Sequence, residues 1–111
     1  MTIKKHPLVP HMVRQVPDQF SWVDHRLVRE RYIDHISHSA ACLYLFLVTV
    51  SDAQGVSYYS DQTLQQRLGM DGSGLASARN ALMEQQLIAF RKPLYQVLAL
   101  DYRRGGYHDQ L

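Results

Sequence analysis

The chain has 111 residues, 46% of them hydrophobic and 20% charged, enough apolar material for one modest core and too much for wholesale disorder. Its longest apolar run, Ala40 to Val50, falls short of the roughly 20 residues that span a bilayer, and no apolar leader follows the opening Met1-Thr-Ile-Lys. Cys42 is the only cysteine, which excludes an intrachain disulfide or a cysteine-based zinc site, so a cytoplasmic protein is expected.

A net charge of +2 says little about partners, but its distribution is uneven. No acid precedes Asp18, while Lys4, Lys5 and Arg14 lie there with His6, His11 and three prolines. Residues 1–19 therefore read as a basic, partly extended arm able to follow a phosphate backbone. Phe20-Ser-Trp-Val23 is expected as an edge strand or an aromatic anchor, with Phe20 and Trp22 in the core by default. From Asp24 to Ile36, the residues Leu27, Val28, Tyr32, Ile33 and Ile36 recur at helical spacing, predicting one or two amphipathic helical segments.

Ser37 or Ser39 is placed to cap a helix from about Ala40 to Ser51 that is apolar nearly all round, the expected centre of the core, with Cys42 buried in it. Ser51-Asp-Ala-Gln-Gly55 is the stop signal, with Gly55 suited to a left-handed cap. A short extended piece, Val56 to Tyr59, follows. Ser60 caps the next helix, where Leu64 and Leu68 face inward and Gly69 ends the run. Asp71 caps a third helix to about Gln86, with Leu75, Ala78, Leu82 and Met83 inward. Leu87–Arg91 and Leu94–Leu100 are strand-like runs joined by Lys92-Pro93, a tight antiparallel hairpin. Tyr58 and Tyr95 are expected to pack within the sheet, and Tyr59, Tyr102 and Tyr107 offer rings that can stack on bases or form a protein interface. The tail, 102–111, has no periodicity.

The order helix, short strand, helix, tight turn, helix, hairpin is carried by Leu64-x-x-x-Leu68-Gly69-Met70-Asp71-x-x-x-Leu75-x-x-Ala78-x-x-x-Leu82-x-x-x-x-Leu87-Ile88. Gly69 permits the sharp turn, Met70 plugs the corner, and Leu87 and Ile88 start the wing. From Ser37 to Leu100 the chain resembles the winged helix-turn-helix superfamily of bacterial transcription regulators and plasmid or primosomal replication proteins. Leu-Tyr-Leu-Phe-Leu followed by Gly-Val-Ser-Tyr-Tyr-Ser-Asp-x-Thr-Leu is most similar to replication-initiator-like and mobile-element-associated domains. The implied fold is mainly α with a small β-hairpin (α+β), a winged helix-turn-helix domain over 20–101.

The resemblance implies that the third helix reads a major groove while the wing lies beside phosphates. Its outward positions would be Gly72, Ser73, Gly74, Ala76, Ser77 and Asn80, with Arg79 on the inner flank. Arg91 and Lys92 at the wing tip, Lys4, Lys5 and Arg14 in the arm, and Arg103 and Arg104 in the tail would supply phosphate contacts. The sequence departs from the pattern where readers usually carry arginines. Between Ser51 and Phe90 the acids Asp52, Asp61, Asp71 and Glu84 face only Arg67 and Arg79. The early N–H groups of the third helix, flanked by Gly72 and Gly74, offer a seat for one phosphate.

Asp34-His35-x-x-His38, with His25 nearby, is read as mixed polar surface rather than a metal site. Gly72-Ser-Gly74 lacks the Gly-Lys-Ser/Thr of a phosphate loop, and no Gly-x-Ser-x-Gly context is present. The expectation is thus a non-enzymatic protein without cofactor or metal that binds double-stranded DNA as a regulator or an accessory replication or mobile-element factor. The alternative is a protein–protein module on the same scaffold that has lost its reading surface. Homodimerisation through Phe20 to Ile36 fits either; neither a membrane nor a small-molecule substrate is expected.

Overall fold

The central element is helix α2, His38–Val50. Ser37 starts it, its extended backbone turning the hydroxyl to accept from the Ala40 N–H at 3.1 Å. In this computed structural model, which describes residues 4–100, α2 buries Ala40, Leu43, Leu47 and Val48 and packs chiefly on α4, Gly72–Glu84. Helix α4 returns Leu75, Ala78 and Leu82, and α3, Asp61–Leu68, adds Leu64. The expected all-round burial of α2 does not occur. His38, Cys42, Leu45 and Thr49, spaced so as to share one helical face, are exposed, so Cys42 is a surface thiol. The α3, α4 and sheet layers cover only one side of the helix, and an apolar outer face cannot by itself attract a partner element. Met83 is exposed on α4 for the same reason.

The segment before α2 is two pieces, helix α1 at Arg26–Arg29 and a 3-10 turn at Tyr32–His35, separated by Arg31 in the left-handed conformation (φ 65°). On a continuous α-helix, residues 27 and 32 would point about 140° apart. The break brings both Leu27 and Tyr32 into the core and leaves Val28 and Ile33 outside, where the periodicity had placed them inward. Ahead of α1, the Asp24 carboxylate accepts from the Arg26 backbone N–H (2.9 Å) and its guanidinium (2.7 Å). The Arg26 hydrogen bonds, side-chain first, hold the Asp24 carboxyl down at about 2.

Three strands, β1 (Val56–Tyr58), β2 (Ile88–Arg91) and β3 (Leu94–Val97), form an antiparallel sheet in the order β1-β3-β2. The extended piece after α2 is thereby a third strand beside the hairpin. Ser57, Tyr95 and Phe90 align on the inner face; Tyr58, Leu94 and Arg91 align on the outer one. Tyr95 is fully buried as expected, whereas Tyr58 faces solvent. β3 is shorter than the apolar run suggested, ending at Val97, although Leu98 still donates to the Leu87 carbonyl and Leu100 returns to the core. A cis peptide bond joins Lys92 and Pro93 in the hairpin turn.

Gly55 does not cap α2, which ends at Val50 with Ser51 extended. It closes the turn into β1, where the Asp52 carboxylate accepts from the N–H groups of Gln54 and Val56. Its φ is +84°, and a Cβ there would stand 2.7 Å from the Val97 carbonyl oxygen. The chain is therefore an α+β protein of short helices and a small antiparallel sheet. Phe20 and Trp22 lie outside its core, both exposed. Among the described residues no helix is long and apolar enough to cross a membrane. The tail expectations, including Arg103 and Arg104, fall outside the described residues.

Candidate nucleic-acid interface

The pair α3–α4 forms where the local chemistry puts it. Ser60 Oγ accepts from the Thr63 N–H at 3.1 Å, starting α3. Gly69, left-handed at φ 65°, ends it while its N–H and that of Met70 satisfy the Gln65 carbonyl. Two residues later Asp71 starts α4, its Oδ1 accepting from the Gly74 N–H at 2.7 Å and lying 3.3 Å from Ser73 Oγ. This cap changes the expectation of a phosphate seat. The start of α4 already holds a carboxylate, so an incoming phosphate meets a like charge.

The outward positions of α4 stand largely as the sequence suggested. Gly72, Ser73, Ser77 and Asn80 are exposed, and Gly74 and Ala76 are partly covered. Beside them α3 presents Gln62, Gln66 and Arg67, also exposed. The sequence reading passed over these glutamines, although they lie on the helix side away from Leu64 and Leu68. The charges on the combined surface are Arg67, whose guanidinium carbon lies 5.8 Å from the Phe46 ring centroid, and the exposed Asp71 and Glu84 at the two ends of α4. The surface is rich in amides and hydroxyls, the groups that pair with adenine edges or with other polar protein surfaces.

Arg79 has a different setting. Its Nη1 donates to Asp61 Oδ1 at 3.0 Å and to Tyr95 Oη at 2.8 Å, and its guanidinium lies 4.3 Å from the Phe90 ring centroid. The side chain is only 13% exposed. Burial opposes its charge, but the Tyr95 and Asp61 acceptors outweigh that, and its pKa is raised. Burial also raises the Tyr95 pKa, with the Arg79 hydrogen bond pulling the other way. One cation thus ties the first turn of α3, the middle of α4 and both hairpin strands together. Nothing local in the sequence signals this, since the partners lie 16 and 18 residues away.

The remaining cations fall into two groups. Arg91 and Lys92 are exposed at the hairpin turn, beside a shallow depression of about 280 Å³ lined by Val56, Ala89, Leu94 and Gln96. Lys4, Lys5 and Arg14 are exposed along the arm. The root of the arm, Phe20 to Trp22, borders Val97, Leu98 and Leu100, at the end of β3 away from the hairpin turn. The arm and the hairpin turn therefore lie at opposite ends of the same strand. Among the described residues no group of three or more His, Cys, Asp or Glu is gathered to hold a metal ion. Comparison of the chain with protein-family models, with curated proteins and with solved structures gives no match.

Proposed function

We propose that this chain is a winged helix-turn-helix protein that binds double-stranded DNA without catalysing a reaction, as a regulator or an accessory replication or mobile-element factor. The observation that carries the reading is the succession α2, β1, α3, sharp turn, α4, hairpin, with β1 added to the hairpin in the order β1-β3-β2. That succession leaves the outer face of α4 free beside a wing with a cationic tip. Affinity on this reading comes from Arg91, Lys92 and the arm. The face of Ser73, Ala76, Ser77 and Asn80 supplies hydroxyl, methyl and amide contacts to base edges, a weakly discriminating set.

A second reading, a protein–protein module on the same scaffold, is favoured by the engagement of Arg79 with Asp61 and Tyr95 and by Asp71 at the start of α4. Both remove positive potential from the surface that would face phosphates. Fluorescence anisotropy with labelled duplexes at two salt concentrations separates the two. DNA binding gives saturable titration at low salt, with affinity falling log-linearly as salt rises. A folded protein that leaves duplex anisotropy unchanged at low salt excludes the first reading and leaves the second.

A further inference from the structure

The two faces of the sheet differ in chemistry. Its inner row, Ser57, Tyr95 and Phe90, lies against the core, while two rows point outward: Val56, Gln96 and Ala89, and Tyr58, Leu94 and Arg91. On the second outer row Tyr58 is 70% exposed and Leu94 43%. The neighbouring Tyr59 packs edge-on against Phe46, with 5.1 Å between ring centroids. The Tyr58 side chain, by contrast, has no hydrogen-bond or ring partner among the described residues.

The charge on this outer face is one-sided. Arg91 ends the row and Lys92 follows it in the hairpin turn, both exposed, and neither forms an ion pair among the described residues. No acid occurs in the three strands or in the turn. Of the acids that flank β1, Asp61 is paired with Arg79, and Asp52 accepts from the Gln54 and Val56 N–H groups at the end of the strand away from Tyr58. The face therefore complements an anion that also brings a flat apolar surface. Tyr58 and Arg91 stand two strands apart, about 10 Å between their backbones, with Leu94 between them. Beside Leu94 lies the depression of about 280 Å³, short of the roughly 300–1,000 Å³ of small-molecule pockets. It is too shallow to enclose a free ligand, but a polymer can lie across it.

We infer that the outer face of the sheet binds single-stranded nucleic acid, with one unpaired base stacked on Tyr58 and the adjoining phosphates on Arg91 and Lys92. An aromatic platform set beside cations is the combination that holds single strands, since every base offers a π-face and every nucleotide a charge. A duplex keeps its bases stacked on one another and meets only the cations of this face. An acidic peptide likewise meets the cations and leaves the Tyr58 ring unused. The site shares Arg91 and Lys92 with the duplex reading, but it uses β1 and β3 rather than α4 and stands if that reading fails.

The test is fluorescence anisotropy of the full chain at low salt with a labelled oligothymidylate of about 12 nucleotides, beside an abasic oligomer of the same length. The parent binds the oligothymidylate about tenfold more tightly than the abasic oligomer, the usual worth of one stacked base. Tyr58→Ala loses that tenfold and Tyr58→Phe keeps it, and both leave any duplex binding unchanged. Arg91→Ala with Lys92→Ala flattens the dependence of log K on log salt by about 1.4, the share of two single-strand phosphates. Far-UV circular dichroism checks that each variant keeps the parent fold. Three results would each overturn the inference: a parent that leaves the oligothymidylate anisotropy unchanged, equal affinity for the two oligomers, or Tyr58→Ala binding as tightly as the parent. A parent that binds the oligothymidylate and ignores a duplex supports this site and sinks the duplex reading alone.

Discussion

Gly55 and Gly69 share a backbone conformation but differ in what surrounds them. Both have positive φ, so alanine at either position adopts a strained geometry. Around Gly69 nothing stands within 4 Å of an added Cβ, whereas at Gly55 the Cβ would lie 2.7 Å from a carbonyl oxygen. That oxygen belongs to the backbone of Val97, whose N–H donates to Gly55 O at 2.8 Å, so it cannot rotate aside without opening the β1–β3 junction. Gly69→Ala is expected to cost about 1 kcal/mol and Gly55→Ala about 2–3 kcal/mol. Urea unfolding of the two variants checks the order. Equal midpoints would mean that the junction yields and that the close approach is not a constraint.

At the scale of elements, Arg79 is the point where the helical pair and the hairpin meet. Arg79→Met keeps most of the aliphatic stem and removes the guanidinium, leaving Tyr95 Oη and Asp61 without that donor and Phe90 without its stacked cation. The expected loss is about 2 kcal/mol. Arg79→Lys is expected to recover less than half, because an ammonium cannot both fork to two acceptors and lie flat on a ring. A variant within about 0.5 kcal/mol of the parent in thermal or chemical unfolding would show that the contacts contribute nothing net, as surface pairs often do. What the sequence made legible here was local: the caps Ser37, Ser60 and Asp71, the left-handed Gly69, and the inward Leu64, Leu75, Ala78 and Leu82 each depend on neighbours within a turn or two. Arg79 depends on partners that only the tertiary fold delivers. The misplaced residues share that cause. Cys42, Val28, Ile33, Met83 and Trp22 are apolar or soft enough to be buried, but periodicity cannot say which apolar face the rest of the chain covers.

At the scale of the whole molecule, the layout of charge decides how DNA would be held. The net charge is +2, and the Arg79 cation is spent on Asp61, so the helical pair contributes little positive potential. On the DNA-binding reading, phosphate contacts rest on the hairpin turn and the arm, which lie at opposite ends of β3. Arg91 and Lys92, exposed at the hairpin turn, then act together with Lys4, Lys5 and Arg14, exposed along the arm. The wild-type dependence of log K on log salt is accordingly expected to be moderate, with a slope of about −2 to −4.5, short of that of a repressor making ten phosphate contacts. Arg91→Ala with Lys92→Ala flattens the slope by about 2 and weakens binding to all duplexes alike. Asn80→Ala leaves the slope unchanged and narrows the difference between A·T-rich and G·C-rich duplexes, because an amide contributes base contacts without releasing a counterion. Anisotropy titrations of the three proteins at four salt concentrations check both effects. A slope left unchanged by loss of both hairpin cations would place the phosphate contacts on the arm and rule out the hairpin turn as an anchor.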